Sequence, residues 1–266
     1  MKASLKRWIP VLFFLILSVY SLQNVILERS QVSVLKQDTY SQDDFRSQHL
    51  TPELYGEITE RANEEGNFGD LLTVTMLRGD FFPEHISTDR EPFLKYKPDE
   101  YVLLKSCYEA IWNDLMCFPL PGCDISYEDS FGAPRSFGGD RTHEGTDLFG
   151  KVTIPGYYPV LSMTDGRVEQ IGWLPLGGYR IGIRSPSGGY FYYAHFSEYD
   201  RAFRIGETIK AGDILGYMGD TGYGPEGTSG QFPVHLHLGI YIRTPEQEEL
   251  SVNPYWILRA MENKRC

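Results

Sequence analysis

The sequence predicts a mainly β protein: an antiparallel sheet or sandwich, preceded by a small α-helical region and an apolar N-terminal helix. Three observations carry this. After Pro119, short segments rich in Tyr, Val and Ile alternate with glycine-bearing turns, the pattern of short strands. Over 51–118, apolar residues recur at helical spacing. Near the start, Lys2, Lys6 and Arg7 precede an apolar run of about the length that crosses a bilayer.

Composition narrows the function classes. The 266 residues hold 25 Lys+Arg against 36 Asp+Glu, a formal net charge of −11. That argues against nucleic acid as a partner, because counterion release needs a basic surface. At 41% hydrophobic and 14% aromatic the chain can bury a core, which excludes wholesale disorder. Its 27 Gly and 16 Pro indicate many turns between short strands.

The apolar run extends from Trp8 to Leu22, is interrupted by Gln23-Asn24, and resumes at Val25-Ile26-Leu27 before Glu28. Basic residues on the short amino side hold that end in the cytoplasm, so the chain after residue 28 is exported. Residues 1–27 are expected to be an uncleaved membrane anchor. The rival is a cleaved signal segment, with Val19 and Ser21 as small residues but no Ala-x-Ala. Residues 28–50 are polar without sustained periodicity and read as a linker or stalk.

Within the helical region 51–118, Thr51-Pro52 supplies an N-cap and a proline at the first helical position. Leu54, Ile58 and Ala62 follow at helical spacing, and Gly66 and Gly69 punctuate the end. A second helix is expected over roughly 70–78. A third begins near Pro98, with Leu104, Tyr108, Ile111 and Leu115 as its apolar stripe. No chemistry is visible there, and His49 and His85 read as surface or capping residues.

Cys107, Cys117, Cys123 and Cys266 form no C-x-x-C pair, which argues against a thiolate zinc site. Export permits a Cys117–Cys123 or Cys107–Cys117 disulfide, and unpaired thiols are equally open. Four cysteines allow three full pairings, among which sequence does not choose.

The strands are expected at Tyr158–Met163, Arg167–Trp173, Tyr179–Arg184, Tyr190–His195, Asp213–Met218 and Val234–Ile242. Thr164-Asp165-Gly166 and Ser185–Gly189 read as hairpin connections between neighbours.

Four histidines fall in this strand-rich part. In Val234–Ile240 the side chains alternate faces, so His235 and His237 share one side while Val234, Leu236, Leu238 and Ile240 make the other. Burying the apolar side fixes the register and holds both imidazoles together. Neighbouring rings resist double protonation, which favours the neutral, metal-binding form. His143-Glu144-Gly145-Thr146-Asp147 superficially resembles the His-Glu-x-x-His helix of zinc proteases, but Gly145 and Gly138-Gly139 argue against a helix. If the segment is extended, His143 and Asp147 share a face and reach one ion, while Glu144 points away. His195 closes the aromatic run Tyr192-Tyr193-Ala194. A catalytic zinc keeps three protein ligands and one open position, and water bound there has its pKa lowered to roughly 7. Two His and one Asp meet that need and leave two histidines to handle protons. The chemistry indicated is metal-assisted amide hydrolysis.

The order His-x-x-x-Asp, Tyr-Ala-His, His-Leu-His resembles the motifs of the lysostaphin/LytM-type zinc metalloendopeptidases, which cut peptides in bacterial peptidoglycan. The resemblance runs through Phe131–Arg135, His143–Asp147, Ala194-His195, Gly206–Asp213, His235–Leu238 and Asn253-Pro254, about residues 128–256. It implies a zinc peptidase domain over 126–262, with one Zn2+ held by His143, Asp147 and His237 and with His195 and His235 as the catalytic pair. It also implies peptidoglycan peptides as substrate, while the extracytoplasmic location at the membrane is expected from the N-terminal segment. Strand geometry alone leaves open which of His235 and His237 is the ligand; the family pattern selects His237. The stretch Gly219–Pro233 departs from the shorter Gly-Pro-His approach of many relatives, which bears on the groove wall. The helical region has no counterpart in the family pattern. Some membrane-anchored relatives have lost ligands and act as activators or scaffolds. That non-enzymatic role is the alternative here, and the filling of all five motif positions favours the enzyme.

Overall fold

The computed structural model describes residues 2–122, 124–136, 139–264 and 266. Helix α1 (Lys2–Gln31) leaves the body with its apolar side chains exposed; Trp8–Gln31 has mean hydropathy 2.0, and none of its apolar window is buried. The helical layer comprises α2 (Asp43–Arg46), α3 (Pro52–Glu65), α4 (Phe68–Arg78), α5 (Glu91–Tyr96) and α6 (Pro98–Trp112). Thr51 caps α3 as expected, its Oγ1 accepting from Leu54 N at 3.3 Å, and Gly66 ends it with φ 71°. Leu104, Tyr108 and Ile111 bury one stripe of α6; Leu115 lies past the helix end but is buried too.

The stretch 28–50 is not a free stalk. Val32, Leu35, Tyr40, Phe45 and Leu50 are buried in the same apolar core as the helices and the sheet. Arg46 donates from Nε to Ser251 O at 3.0 Å and from Nη2 to Ser251 Oγ at 2.9 Å. Trp112 Nε1 donates to Gln48 Oε1 at 2.7 Å. Single apolar side chains carried on turns and on a four-residue helix fill the core without any period to announce them. His49 is likewise no plain surface residue: its ring lies 4.2 Å from that of Trp256 and 5.0 Å from that of Phe82.

The β part has β1 (Ile125–Tyr127), β2 (Pro134–Arg135), β3 (Arg141–Thr142), β4 (Thr146–Gly150), β5 (Pro159–Leu161), β6 (Gly166–Leu174), β7 (Gly178–Arg184), β8 (Tyr190–Tyr199), β9 (Thr208–Ile209), β10 (Ile214–Met218), β11 (Leu236–Ile242) and β12 (Leu250–Val252), then helix α7 (Tyr255–Met261). Ten of these strands form one antiparallel sheet in the order β1-β4-β11-β8-β7-β6-β9, with β10 joining β5 to β8, and β12 beside β11. The β2–β3 pair stands apart as a small ribbon. Ser185–Gly189 is a hairpin between paired β7 and β8, as expected. Thr164-Asp165-Gly166 is not one: β5 pairs with β10, whereas β6 pairs with β7 and β9. The apolar side of β11 is buried, with Leu236, Leu238 and Ile240 fully enclosed.

Cys117 pairs with Cys266, Cα to Cα 5.7 Å across 149 residues of sequence. This corrects both expected pairings that involved Cys117. Cys107 is a buried free thiol inside α6. Cys123 and Gly138 lie outside the described residues.

Candidate active site

Strand register brings the predicted residues together. Asp147 on β4 stands opposite His237 on β11, which in turn stands opposite Ala194 on β8. Directly paired residues share a face, so Asp147 and His237 meet without any loop having to position them. His143 approaches from the turn just before β4. His143 Nε2, His237 Nδ1 and Asp147 Oδ1 form a triangle with all three edges 3.0 Å. Gly145 permits this, because a Cβ there would lie 2.5 Å from Leu238 O and 2.6 Å from His237 Cε1.

The donor set fits a zinc ion. His143 Nδ1 lies 3.0 Å from Ser130 Oγ and 3.2 Å from Ser130 O. The carbonyl only accepts, so Nδ1 carries the proton and Nε2 presents its lone pair to the triangle. Two imidazole nitrogens and a carboxylate oxygen thus converge with too few protons to separate them, an arrangement that a cation resolves. Zinc ligands about 2.0–2.2 Å from the ion lie about 3.3 Å apart around a tetrahedron, close to the edges of this triangle. Asp147 Oδ2 accepts from Arg135 Nη2 at 2.8 Å, which anchors the carboxylate with Oδ1 turned inward. Burial alone would raise Asp147, but its contacts with His143, His237 and His235 outweigh that and hold the carboxyl well below the usual range. Burial pushes His237 down, keeping the ring neutral.

The other two histidines flank the triangle. His235 Nδ1 lies 2.7 Å from Pro233 O, and His195 Nδ1 lies 2.8 Å from Thr221 O. Each carbonyl fixes the proton on Nδ1, so both rings offer Nε2 as the free base; His235 Nε2 is 3.6 Å from Asp147 Oδ1. Their ring centroids are 4.7 Å apart, with Phe232 against both and Phe149 stacked on His235 at 5.2 Å. This apolar enclosure pushes His235 down and, with the neighbouring imidazoles adding to it, His195 well down.

His195 reaches this face by an irregularity. Simple alternation along β8 would send it into the core beside Tyr193. Instead Ile181 pairs with Tyr193 and Tyr179 with Phe196, so Ala194 and His195 together oppose Arg180 alone. His195 takes φ 66° in this bulge and turns its ring to the groove side. No feature of the Tyr-Tyr-Ala-His string announces a bulge.

All five side chains line one cavity of about 700 Å³, together with Arg180, Tyr192, Tyr223, Tyr241 and Glu144. Glu144 is exposed, as expected, and its backbone carbonyl accepts from Tyr241 Oη at 3.3 Å. Ser130 and Arg135, which contact His143 and Asp147, and Arg180, which lines the cavity, are the residues that sequence reasoning missed. Arg135 lay within the Phe131–Arg135 string already noted, which was a usable signal.

The profile of peptidase family M23 matches residues 141–254. An L-Ala--D-Glu endopeptidase of Bacillus subtilis is 42% identical over 164 residues, which are 61% of this chain and 49% of that protein. Lysostaphin of Staphylococcus simulans is 34% identical over 83 residues, 30% of this chain and 16% of its own. The chain thus spans about half the length of the Bacillus relative and less of the staphylococcal one. A crystal structure from Ruminococcus gnavus, provisionally assigned as the glycyl-glycine endopeptidase lytM, is 43% identical with a TM-score of 0.74, covering 87% of this chain and 95% of that one.

Proposed function

This chain belongs to peptidase family M23, and from that premise we propose that it is a zinc-dependent endopeptidase that hydrolyses peptide bonds in bacterial peptidoglycan. The observation that carries the reading is the 3.0 Å triangle of His143, His237 and Asp147 beside two imidazoles whose Nε2 atoms are free.

In this reading His143, Asp147 and His237 hold the metal, and Ser130 and Arg135 hold two of those ligands in place. Zinc bound there supplies a Lewis acid that polarises the scissile carbonyl and acidifies water. His195 and His235 accept a proton from the attacking water through Nε2 and deliver it to the amine nitrogen as the C–N bond breaks. Between those events the imidazolium stabilises charge building on the carbonyl oxygen. Phe232 and Phe149 exclude water from the ring faces, which keeps both bases neutral near pH 7.

The relatives are named for two kinds of bond, L-Ala–D-Glu and glycyl-glycine; either kind places a peptide in the 700 Å³ groove. Helix α1 would anchor the protein in the membrane with the groove on the outer side, consistent with the basic residues at its amino end, ahead of the apolar span. Two measurements test the proposal: metal content of the purified protein, and mass analysis of the products released from purified muropeptides. Near-stoichiometric zinc with defined peptide cleavage is expected. Absence of zinc, or zinc with no cleavage of any fragment, would favour the non-enzymatic scaffold.

A further inference from the structure

We infer that Arg180 is the specificity-determining residue of this groove, and that it selects peptides bearing a free carboxylate on the residue just after the scissile bond. The inference rests on the peptidase reading above and deepens it. Arg180 is only 9% exposed, lines the groove, and has a buried Nη1 without any hydrogen-bond partner. Among the described residues no ion pair reaches its guanidinium, although Glu144 and Glu249 line the same cavity. Asp147 is already engaged by Arg135 and the imidazoles. A buried cation left unpaired is costly, and a planar fork of donors matches a carboxylate in two parallel bonds. The other groove arginine with a clear task, Arg135, is engaged with Asp147; among the described residues Arg180 has no such partner.

Its position suits the residue after the cut. Arg180 opposes the Ala194–His195 bulge, and Ala194 opposes His237, so Arg180 lies two strands from the triangle on the same face. With strands about 4.8 Å apart, its Cα stands about 10 Å from that of His237. With the peptide running from the β11 side toward β7, the polarity this inference adopts, an advance of about 3.5 Å per residue brings a glutamyl side chain one residue past the scissile carbonyl within reach of a long arginine. Tyr192, two residues before Ala194 on β8 and on the same face, is edge-on to His237 with centroids 6.0 Å apart and gives that chain an apolar wall. A glycine-only strand offers nothing to the guanidinium. Of the two bond types, the one followed by an acidic residue fits.

The test uses the zinc-loaded full chain in detergent and three C-terminally amidated peptides. One has Ala before and D-Glu after the scissile bond, the second replaces D-Glu by D-Gln, and the third is pentaglycine. Amidation removes the terminal carboxylate, so only the side-chain group differs between the first two. Binding is measured by calorimetry and hydrolysis by product mass. The wild type should bind the glutamyl peptide at least about tenfold more tightly than its glutamine counterpart, and the hydrolysis preference should appear in KM. R180Q should bring the two within about twofold at unchanged zinc content, and R180K should restore part of the preference. Equal wild-type binding of the two peptides, or a preference that survives R180Q, overturns the inference. The wild-type comparison needs no variant, so misfolding of R180Q cannot rescue it. Preferential binding with no hydrolysis of any peptide upholds Arg180 and defeats the peptidase reading; hydrolysis with no preference does the reverse.

Discussion

The two walls of the groove are built in different ways. On one, β4 and β11 place Asp147 against His237 by ordinary antiparallel register, with the apolar side of β11 buried beneath. On the other, β8 spends one extra residue, and the left-handed backbone of His195 turns its ring to the same side. Regular pairing suits side chains that must hold fixed distances to one another, because neighbouring strands enforce those distances. A bulge suits a side chain that must reach out to a reacting group, because it points where the pleat does not.

The comparison can be broken by mutation. The largest effects belong on the regular wall and the turn that leads into it: Asp147→Ala or His143→Ala should strip the metal, leaving activity down by more than about 10⁴-fold and little zinc in elemental analysis. Retained zinc in either variant would show that these atoms are not the ligands. Next come His195→Ala and His235→Ala, which should keep stoichiometric zinc while turnover falls about 10²–10⁴-fold, read by peptide hydrolysis. If His195→Ala loses metal as well, the walls do not divide the labour as described. Gly145→Ala should weaken zinc binding about 10–100-fold, because its methyl would intrude on the His237 ring and on Leu238 O; competition with a chelator measures this. The smallest change is Ser130→Ala, which leaves the carbonyl acceptor for His143 Nδ1 and should cost about tenfold or less in zinc affinity in the same assay.

The same contrast explains what could be read from the sequence. His235 and His237 on one side of an apolar strand, and His143 and Asp147 at even spacing, were legible because alternation in a half-buried strand is a local property. The α3 start at Thr51-Pro52 was legible for the same reason, since capping is decided within four residues. The reach of His195 was not, because a bulge is a mismatch between two strands and shows only when they pair. Ser130, 13 residues before His143, and Arg180, on a different strand, act through tertiary placement alone. Residues 28–50 looked like a stalk because turns and a short helix bury Leu35, Phe45 and Leu50 one at a time. The Cys117–Cys266 pairing joins positions 149 apart, which spacing arguments confined to nearby cysteines do not reach.

The lower end of α1 is not loose. Glu28 Oε2 accepts from Lys95 Nζ at 2.8 Å and from Tyr96 Oη at 2.9 Å, and Arg78 Nη1 donates to Gln31 Oε1 at 3.0 Å. With the following segment folded into the core, no slack chain separates the apolar helix from the groove. If that helix stays in a bilayer, the groove rides at one altitude above the lipid. Lengthening the chain at residue 32 would turn a fixed blade into one on a leash and, under the proposed function, would change which depth of the wall it reaches.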